Sequence, residues 1–378
     1  MSGSEVVIVG GGVTGLSAGW WLARCGVKVT ILEKFIVGWE ASGRNGGGAS
    51  HYASPLFDEE QRMWPQMDEL LGYPTEHQKE RIIIAMTETQ WNQYRFSAAR
   101  HNRLNHPAEV LDTKQVLEAV PLASEKCFGG VHYKFGGHAN PQRSVQAYAW
   151  ALQDLGGTII QHSPVTGFET AGGKVTGVKT ANATYGCDAV VVAAGPQIPQ
   201  LMAQLGIDVP LAAARAEMIV TEPAPMMPIG GVDGHKLYGR QTLRGNLAFG
   251  GGPHEWIDVD ETGPAARPST PLARNLAKQL AELLPKAAHL NVLRSWSGII
   301  ENSPDGRPII DRLTSPDNVV VASMSSVGFG LSPASGHAIR DLVIDGTCSF
   351  ADIDMLKLSR FTGLESDWRE RRGWMSIS

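Results

Sequence analysis

Val6-Val7-Ile8-Val9 is apolar at every position, without the alternation of a half-exposed strand, so it predicts a strand buried on both faces of a parallel sheet. A helical pattern from about Val13 to Cys25 follows, Gly26 stops it, and Val27 to Leu32 reads as a second strand. The whole is a βαβ unit of about thirty residues. Continuous apolar runs return in "CDAVVVAAGPQ" (Cys187 to Gln197) and at Val319-Val320-Val321, the latter followed by the turn Gly328-Phe329-Gly330-Leu331-Ser332 and then a helix. Other stretches pattern differently. Amphipathic helical segments such as "DTKQVLEAV" fill residues 57–137, "FGGHANPQRSV" leads into a helix and the strand "GTIIQHSPVTGFET", and "AAARAEMIVTE" and "KLYGRQTLRGNLAFGGG" alternate as strands of an antiparallel sheet. The expected fold is α/β. A Rossmann-like parallel-sheet domain (1–56, 138–205 and 300–350) is interleaved with an antiparallel-sheet-plus-helix domain (57–137 and 206–299). The charged, aromatic tail 351–378 forms a terminal arm, docked on its own chain or against another subunit.

Gly10, Gly12 and Gly15 occupy G-x-G-x-x-G positions between the first strand and its helix. Gly10 permits the tight turn, Gly12 lets a pyrophosphate approach the N–H groups at the helix start (Val13, Thr14), and Gly15 lets helix and strand pack closely. Glu33, beside Lys34 at the end of the second strand, places a carboxylate where the adenosine ribose hydroxyls would lie. The first inference is a bound dinucleotide.

A further glycine-rich segment, "GWEASGRNGGGASHY" (Gly38 to Tyr52), stands where a simple nicotinamide enzyme would continue its helix–strand repeat. With the fingerprint, "CDAVVVAAGPQ" and "DNVVVASMSSVGFGLSPASGHAIRDLVIDG" (Asp317 to Gly346), it resembles the glycine and D-amino-acid oxidase superfamily of FAD enzymes along nearly the whole chain. The loop "SGRNGGG" is most similar to that of the β subunits of hetero-oligomeric opine, proline and hydroxyproline dehydrogenases and sarcosine oxidase. The resemblance implies FAD contacts from Ser42, Arg44, Asn45, Gly46, Gly47, Val165, Ala193, Ala194, Gly195, Gly298 and Gly328 to Ser332. It also implies oxidation of a C–N bond by hydride transfer to flavin N5, and partner subunits carrying further redox centres, with FMN at a subunit interface left open.

Departures from the relatives shape the expectation further. The oxygen-activating lysine of the sarcosine oxidase pattern falls on Ala248, which favours a dehydrogenase. The cysteine that attaches FAD covalently in some relatives falls on Gly298, so FAD is expected to be noncovalent. The known carboxylate-binding lysine and arginine fall near Ser332 and Ile300. The substrate anchor must lie elsewhere, and Arg240 is the first candidate, because a guanidinium in a dry pocket binds a carboxylate bidentately. Its alternative role is a salt bridge at the domain boundary. His51, Tyr52, Tyr238 and Gln241 are the other substrate-side candidates. Glu301, Asp305, His138 and Asn140 read as turn residues, and Arg44 could equally hold loop carbonyls.

Composition narrows the classes. Thirty-three Lys+Arg against 38 Asp+Glu give a formal charge of −5 without a basic block, which argues against nucleic acid. Four dispersed cysteines (25, 127, 187, 348) show no metal or disulfide spacing, so no metal site is expected and a reducing cytoplasm fits. No apolar run approaches the roughly 20 residues of a transmembrane helix, and no export signal is apparent. Two other readings stay open: a non-catalytic electron-relay flavoprotein subunit, and an FAD-dependent 2-hydroxy acid dehydrogenase.

Overall fold

The computed structural model describes residues 5–49, 54–259 and 268–372. His51 and Tyr52 lie outside them. The opening β1 (Glu5–Val9) sits inside a six-stranded sheet, flanked by β2 (Lys28–Leu32) and β10 (Ala189–Val192), with β6 (Thr158–Ile160) beyond β2, and β17 (Val319–Ser323) then β16 (Ile309–Arg312) beyond β10. All pairs are parallel except β16 with β17. Each valine-rich run is buried on both faces, as predicted, because helices cover one side and a three-stranded antiparallel sheet, β7 (Val165–Ala171), β8 (Lys174–Thr180) and β9 (Thr184–Gly186), packs on the other.

The second large sheet has eight strands in the order β15 (Val292–Asn302), β11 (Ala212–Pro223), β14 (Asn246–Ile257), β13 (Leu237–Gln241), β12 (Gly231–Gly234), β3 (Arg81–Ala85), β5 (Gly129–Tyr133), β4 (Ala108–Leu111). It is antiparallel apart from one parallel pair, β12 with β3, which the alternation pattern could not reveal. Among the described residues, no helix is long and apolar enough to cross a membrane.

Two expectations change. The helices Phe57–Met63 and Met67–Leu71 and the turn Trp64–Gln66 between them, placed by sequence in the second domain, pack Met63, Trp64, Met67 and Leu71 into the core of the parallel sheet. Trp64 is buried there, and its Nε1 donates to Gly330 O at 2.7 Å. The helix Gly328–Ile344 begins at Gly328, not after Ser332, and carries Pro333 inside it. Its tight packing on the helix Val13–Arg24 leaves no room for side chains: a Cβ on Gly336 would stand 2.1 Å from Ser17 Oγ. The arm crosses back to the eight-stranded sheet, where Arg369 pairs with Asp258 at 3.0 Å and lies over the Trp256 ring.

Candidate active site

A cavity of ≈ 490 Å³ opens along the carboxyl ends of β1, β2 and β10 and reaches β15 and the start of the helix Gly328–Ile344. This is the edge at which open α/β sheets bind ligands. Gly10 turns the chain out of β1 with φ +111, and a Cβ on it would stand 2.4 Å from Ala193 O; only glycine fits. Gly15 is as constrained, since its Cβ would meet Gly10 O at 2.1 Å. Gly12 lines the cavity and has only Ser42 Oγ nearby. The next N–H, of Val13, donates to Ser42 Oγ at 3.0 Å, at the positive end of the helix dipole.

Glu33 closes the loop. Its Oε2 accepts Gly11 N–H at 2.7 Å and its Oε1 accepts Phe35 N–H at 2.7 Å, while burial pushes its pKa up against those bonds. Each oxygen keeps the capacity to accept a further hydrogen bond, and Glu33 lines the cavity where a ribose hydroxyl would donate. The Gln197 amide, oriented with its oxygen toward Lys34 Nζ at 3.1 Å, donates to Ala194 O at 3.1 Å and holds the one lysine of the wall.

Of the cofactor residues expected from sequence, Gly10, Gly12, Val13, Thr14, Glu33, Lys34, Ser42, Asn45, Val165, Ala193, Ala194, Gly195, Gly328 and Phe329 line this cavity. Others do not. Gly330, Leu331 and Ser332 are buried in helix packing, because the helix starts five residues earlier than expected; Ser332 O accepts Ser17 Oγ at 2.7 Å. Arg44 faces away, donating to the carbonyls of Trp39 and, at 3.0 Å, Ser297, with its guanidinium over the Trp39 ring; it holds loop carbonyls. Gly298 packs on Arg44, 3.3 Å from its Cβ to any added methyl. Gly46 and Gly47 shape the loop. Gly47 has φ +84, and its N–H donates to Asn45 Oδ1 at 2.7 Å.

Sequence reasoning missed two carboxylates in the wall. Glu301 lies in β15, not in the turn that follows, and its Oε1 accepts Ser323 Oγ at 3.3 Å and Met324 N–H at 3.2 Å. Glu40 also lines the cavity, and its Oε2 is buried without a hydrogen-bond partner among the described residues. Burial raises the pKa of both. No spacing signal marks either residue. Asp305 is the turn residue it was read as, accepting Arg307 N–H at 3.1 Å. Asn140 caps the helix Pro141–Asp154, and His138 bridges Gln78 and Gly48.

The face that the eight-stranded sheet turns toward the glycine loop follows from register. Leu247 and Phe249 of β14, Ile219 of β11 and Leu237 of β13 point to the other side, into a core with the helix Thr270–Leu283. The loop-facing side carries two cross-strand rows, Trp296–Met218–Gly250–Tyr238 and Arg294–Val220–Ala248–Arg240. The loop lies on the first row: Trp296 Nε1 donates to Arg44 O at 2.8 Å, and a Cβ on Gly46 would stand 3.0 Å from the Tyr238 ring. In the second row Arg240 is buried, and burial lowers its pKa to about 10, so it stays charged at neutral pH. It forms no salt bridge among the described residues. Its Nη1 donates to Gly46 O instead. Gln241 is a correction: it points away from this face, donating to the carbonyls of Ala224, Pro225 and Gly245 and accepting Met227 N–H, so the loops it ties use its whole amide.

This wall fits FAD: a glycine cradle at a helix start, a carboxylate at the ribose position, and a cavity continuing toward a second sheet. A family model described as FAD dependent oxidoreductase (DAO) matches residues 5–342. The chain is 29% identical over 362 residues to the beta chain of sarcosine oxidase from Rhizobium meliloti (strain 1021), covering 90% of this chain and 85% of that protein. It is 28% identical to an opine oxidase subunit of Agrobacterium tumefaciens (strain Ach5), over 89% of this chain and 91% of that one. The solved structure of an L-proline dehydrogenase from P. horikoshii superposes with a TM-score of 0.86 at 22% identity, covering 95% and 98% of the two chains. With the family model spanning both sheets and the cavity between them, the chain belongs to the DAO family of FAD-dependent oxidoreductases.

Proposed function

We propose that this chain is an FAD-dependent dehydrogenase that oxidises the C–N bond of a secondary amino acid of the opine, proline/hydroxyproline or sarcosine class. When bound, FAD would supply the two-electron acceptor at flavin N5 for the hydride equivalent of the substrate Cα–H, and the C–N bond would become an imine that is hydrolysed or released. The observation that carries the reading is Arg240, a buried guanidinium with one hydrogen-bond acceptor, Gly46 O, among the described residues, on the sheet face that meets the glycine loop. Its unused N–H groups suit a carboxylate, held bidentately in a low-dielectric setting. Tyr238, beside it on the same strand and face, would border the same substrate, with His51 and Tyr52 following the glycine loop in sequence.

Ala248, next to Arg240 in its row, supports a dehydrogenase, since it brings no positive charge to stabilise developing superoxide. Gly298, lacking any nucleophile, supports noncovalent FAD. Electrons then need a way out, and the sarcosine and opine oxidase relatives, each named as one subunit of its enzyme, support an assembly with other chains. Four dispersed cysteines do not suit an iron–sulfur cluster in this chain.

The test is anaerobic bleaching of the holoprotein by a panel of secondary amino acids, primary amino acids and 2-hydroxy acids. Bleaching by secondary amino acids supports the reading; bleaching only by hydroxy acids, or by none, overturns it. Arg240→Lys separates substrate binding from loop holding: a loss in kcat/KM larger for amino acids than for an uncharged amine marks an anchor, and equal losses mark a purely structural arginine.

A further inference from the structure

The segment from Gly38 to Ser42 is laid along the glycine cradle by a bond at each end: Gly38 N–H donates to Gly11 O at 3.0 Å, and Val13 N–H donates to Ser42 Oγ at 3.0 Å. Glu40 stands midway between these bonds and lines the cavity onto which the cradle opens. Its carboxyl is bonded on one side only. Ile299 N–H of β15 donates to it, while Oε2 is buried with no hydrogen-bond partner among the described residues. Two cations stand near, and each is committed elsewhere: Arg44 to the carbonyls of Trp39 and Ser297, and Lys34 to the Gln197 amide. Glu33 at the end of β2 and Glu301 in β15 bring two further carboxyls to the same wall, against Lys34 as its one lysine or arginine among the described residues. His162, beyond β6, acts on Glu33 rather than on Glu40.

One oxygen that accepts a bond and one that meets no donor is the pattern of a carboxylic acid, whose second oxygen carries a proton and requires an acceptor. We infer that Glu40 enters the FAD complex as a neutral acid, its Oε2 hydroxyl donating to an oxygen of the cofactor's phosphate-bearing chain, so that FAD binding takes up a proton. Burial already favours the neutral form and outweighs Arg44 and Lys34, which favour the charged one; Glu33 acts in the same sense as burial. An anionic pyrophosphate at the cradle adds like charge and favours the neutral form further. The inference concerns cofactor binding alone and stands whichever substrate is oxidised.

The holoprotein is diluted into buffers spanning the range from the ordinary carboxyl pKa to the alkaline side, and FAD release is read by recovery of flavin fluorescence, which gives a dissociation constant at each pH. A proton taken up on binding makes affinity greatest on the acid side; the constant should rise with pH, by up to about tenfold per unit, through the window between the pKa of Glu40 in the free and the bound protein. Glu40→Gln keeps a donor without a charge, so it should hold FAD near the wild-type acid limit at every pH. Glu40→Ala should be equally flat but weaker, and Glu301→Gln should leave the slope in place. Calorimetry of FAD binding in buffers of different ionisation enthalpy should show proton uptake by the wild-type chain and none by Glu40→Gln. A flat wild-type profile, an affinity that rises with pH, a slope that survives both Glu40 variants, or one that Glu301→Gln removes overturns the inference. Loss of FAD by a Glu40→Gln chain that circular dichroism shows to be folded overturns it as well, since a neutral donor would then not suffice.

Discussion

Replacing Glu33 by Gln tests whether this carboxylate both builds the cavity and holds its ligand. Two backbone N–H groups, of Gly11 and Phe35, point at its oxygens at 2.7 Å, and the side chain is buried. Glutamine keeps the shape but offers one oxygen; its NH₂ must then face one of the two N–H groups. Losing one charge-assisted bond costs about 1.5–3 kcal/mol, part of it offset because a desolvated charge is also removed. The FAD dissociation constant should therefore rise by about ten- to hundredfold. Titration of the apoprotein with FAD, read by quenching of flavin fluorescence, measures it, and FMN, which lacks the adenosine ribose, is the control. FAD affinity unchanged in the variant refutes the reasoning. An equal loss for FMN shows that Glu33 acts through the loop alone.

Three further outcomes are expected. Gly15→Ala places a Cβ 2.1 Å from Gly10 O, a backbone atom that cannot swing aside, so the chain should fail to retain FAD and unfold at a lower temperature, by differential scanning fluorimetry; a normal Tm with normal flavin content contradicts the packing described. Buried His138 has its pKa lowered to about 3, by desolvation first and then by Arg240, His77 and Arg81. Below about pH 6.5 the unfolded chain takes up a proton that the folded chain refuses, so stability is fully present above that pH and falls toward pH 3 by up to about 1.4 kcal/mol per unit. Urea unfolding at several pH values should show this slope, and His138→Gln should flatten it. Ala248→Lys introduces a cation on the loop-facing side, so the ratio of oxygen to dye turnover should rise about tenfold or more; an unchanged ratio argues against the dehydrogenase assignment.

Much of the cofactor side was legible in the sequence because it is local. A β-branched run, three spaced glycines and an acid after the second strand specify a βαβ unit within the first 33 residues, and the structure needs no distant contact to explain Gly15 or Glu33. The same locality misled where a boundary depended on packing. Gly328 to Ser332 looks like a turn because glycine and proline are poor helix formers. Close contact with the helix Val13–Arg24 makes small residues favourable there and draws the helix start back to Gly328. Likewise Trp64 reads as one more amphipathic position until its indole reaches Gly330 O, 266 residues away in sequence.

The substrate side depended on register, which no single strand encodes. A slip of one residue between β13 and β14 would send Arg240 to the opposite face, and nothing within "KLYGRQT" distinguishes Arg240 from Gln241 as the residue facing the loop. The hydrophobic partners on the far face, Leu237, Leu247, Phe249 and Ile219, make that choice by burying themselves against the helix Thr270–Leu283. Glu40 and Glu301 entered the cavity wall in the same way, through folding that brings β15 and the glycine loop beside β1. The sequence by itself therefore determined which cofactor chemistry the first strands can hold. Only the tertiary structure decided which charges surround it, because side-chain direction across a sheet is set by what the opposite face buries.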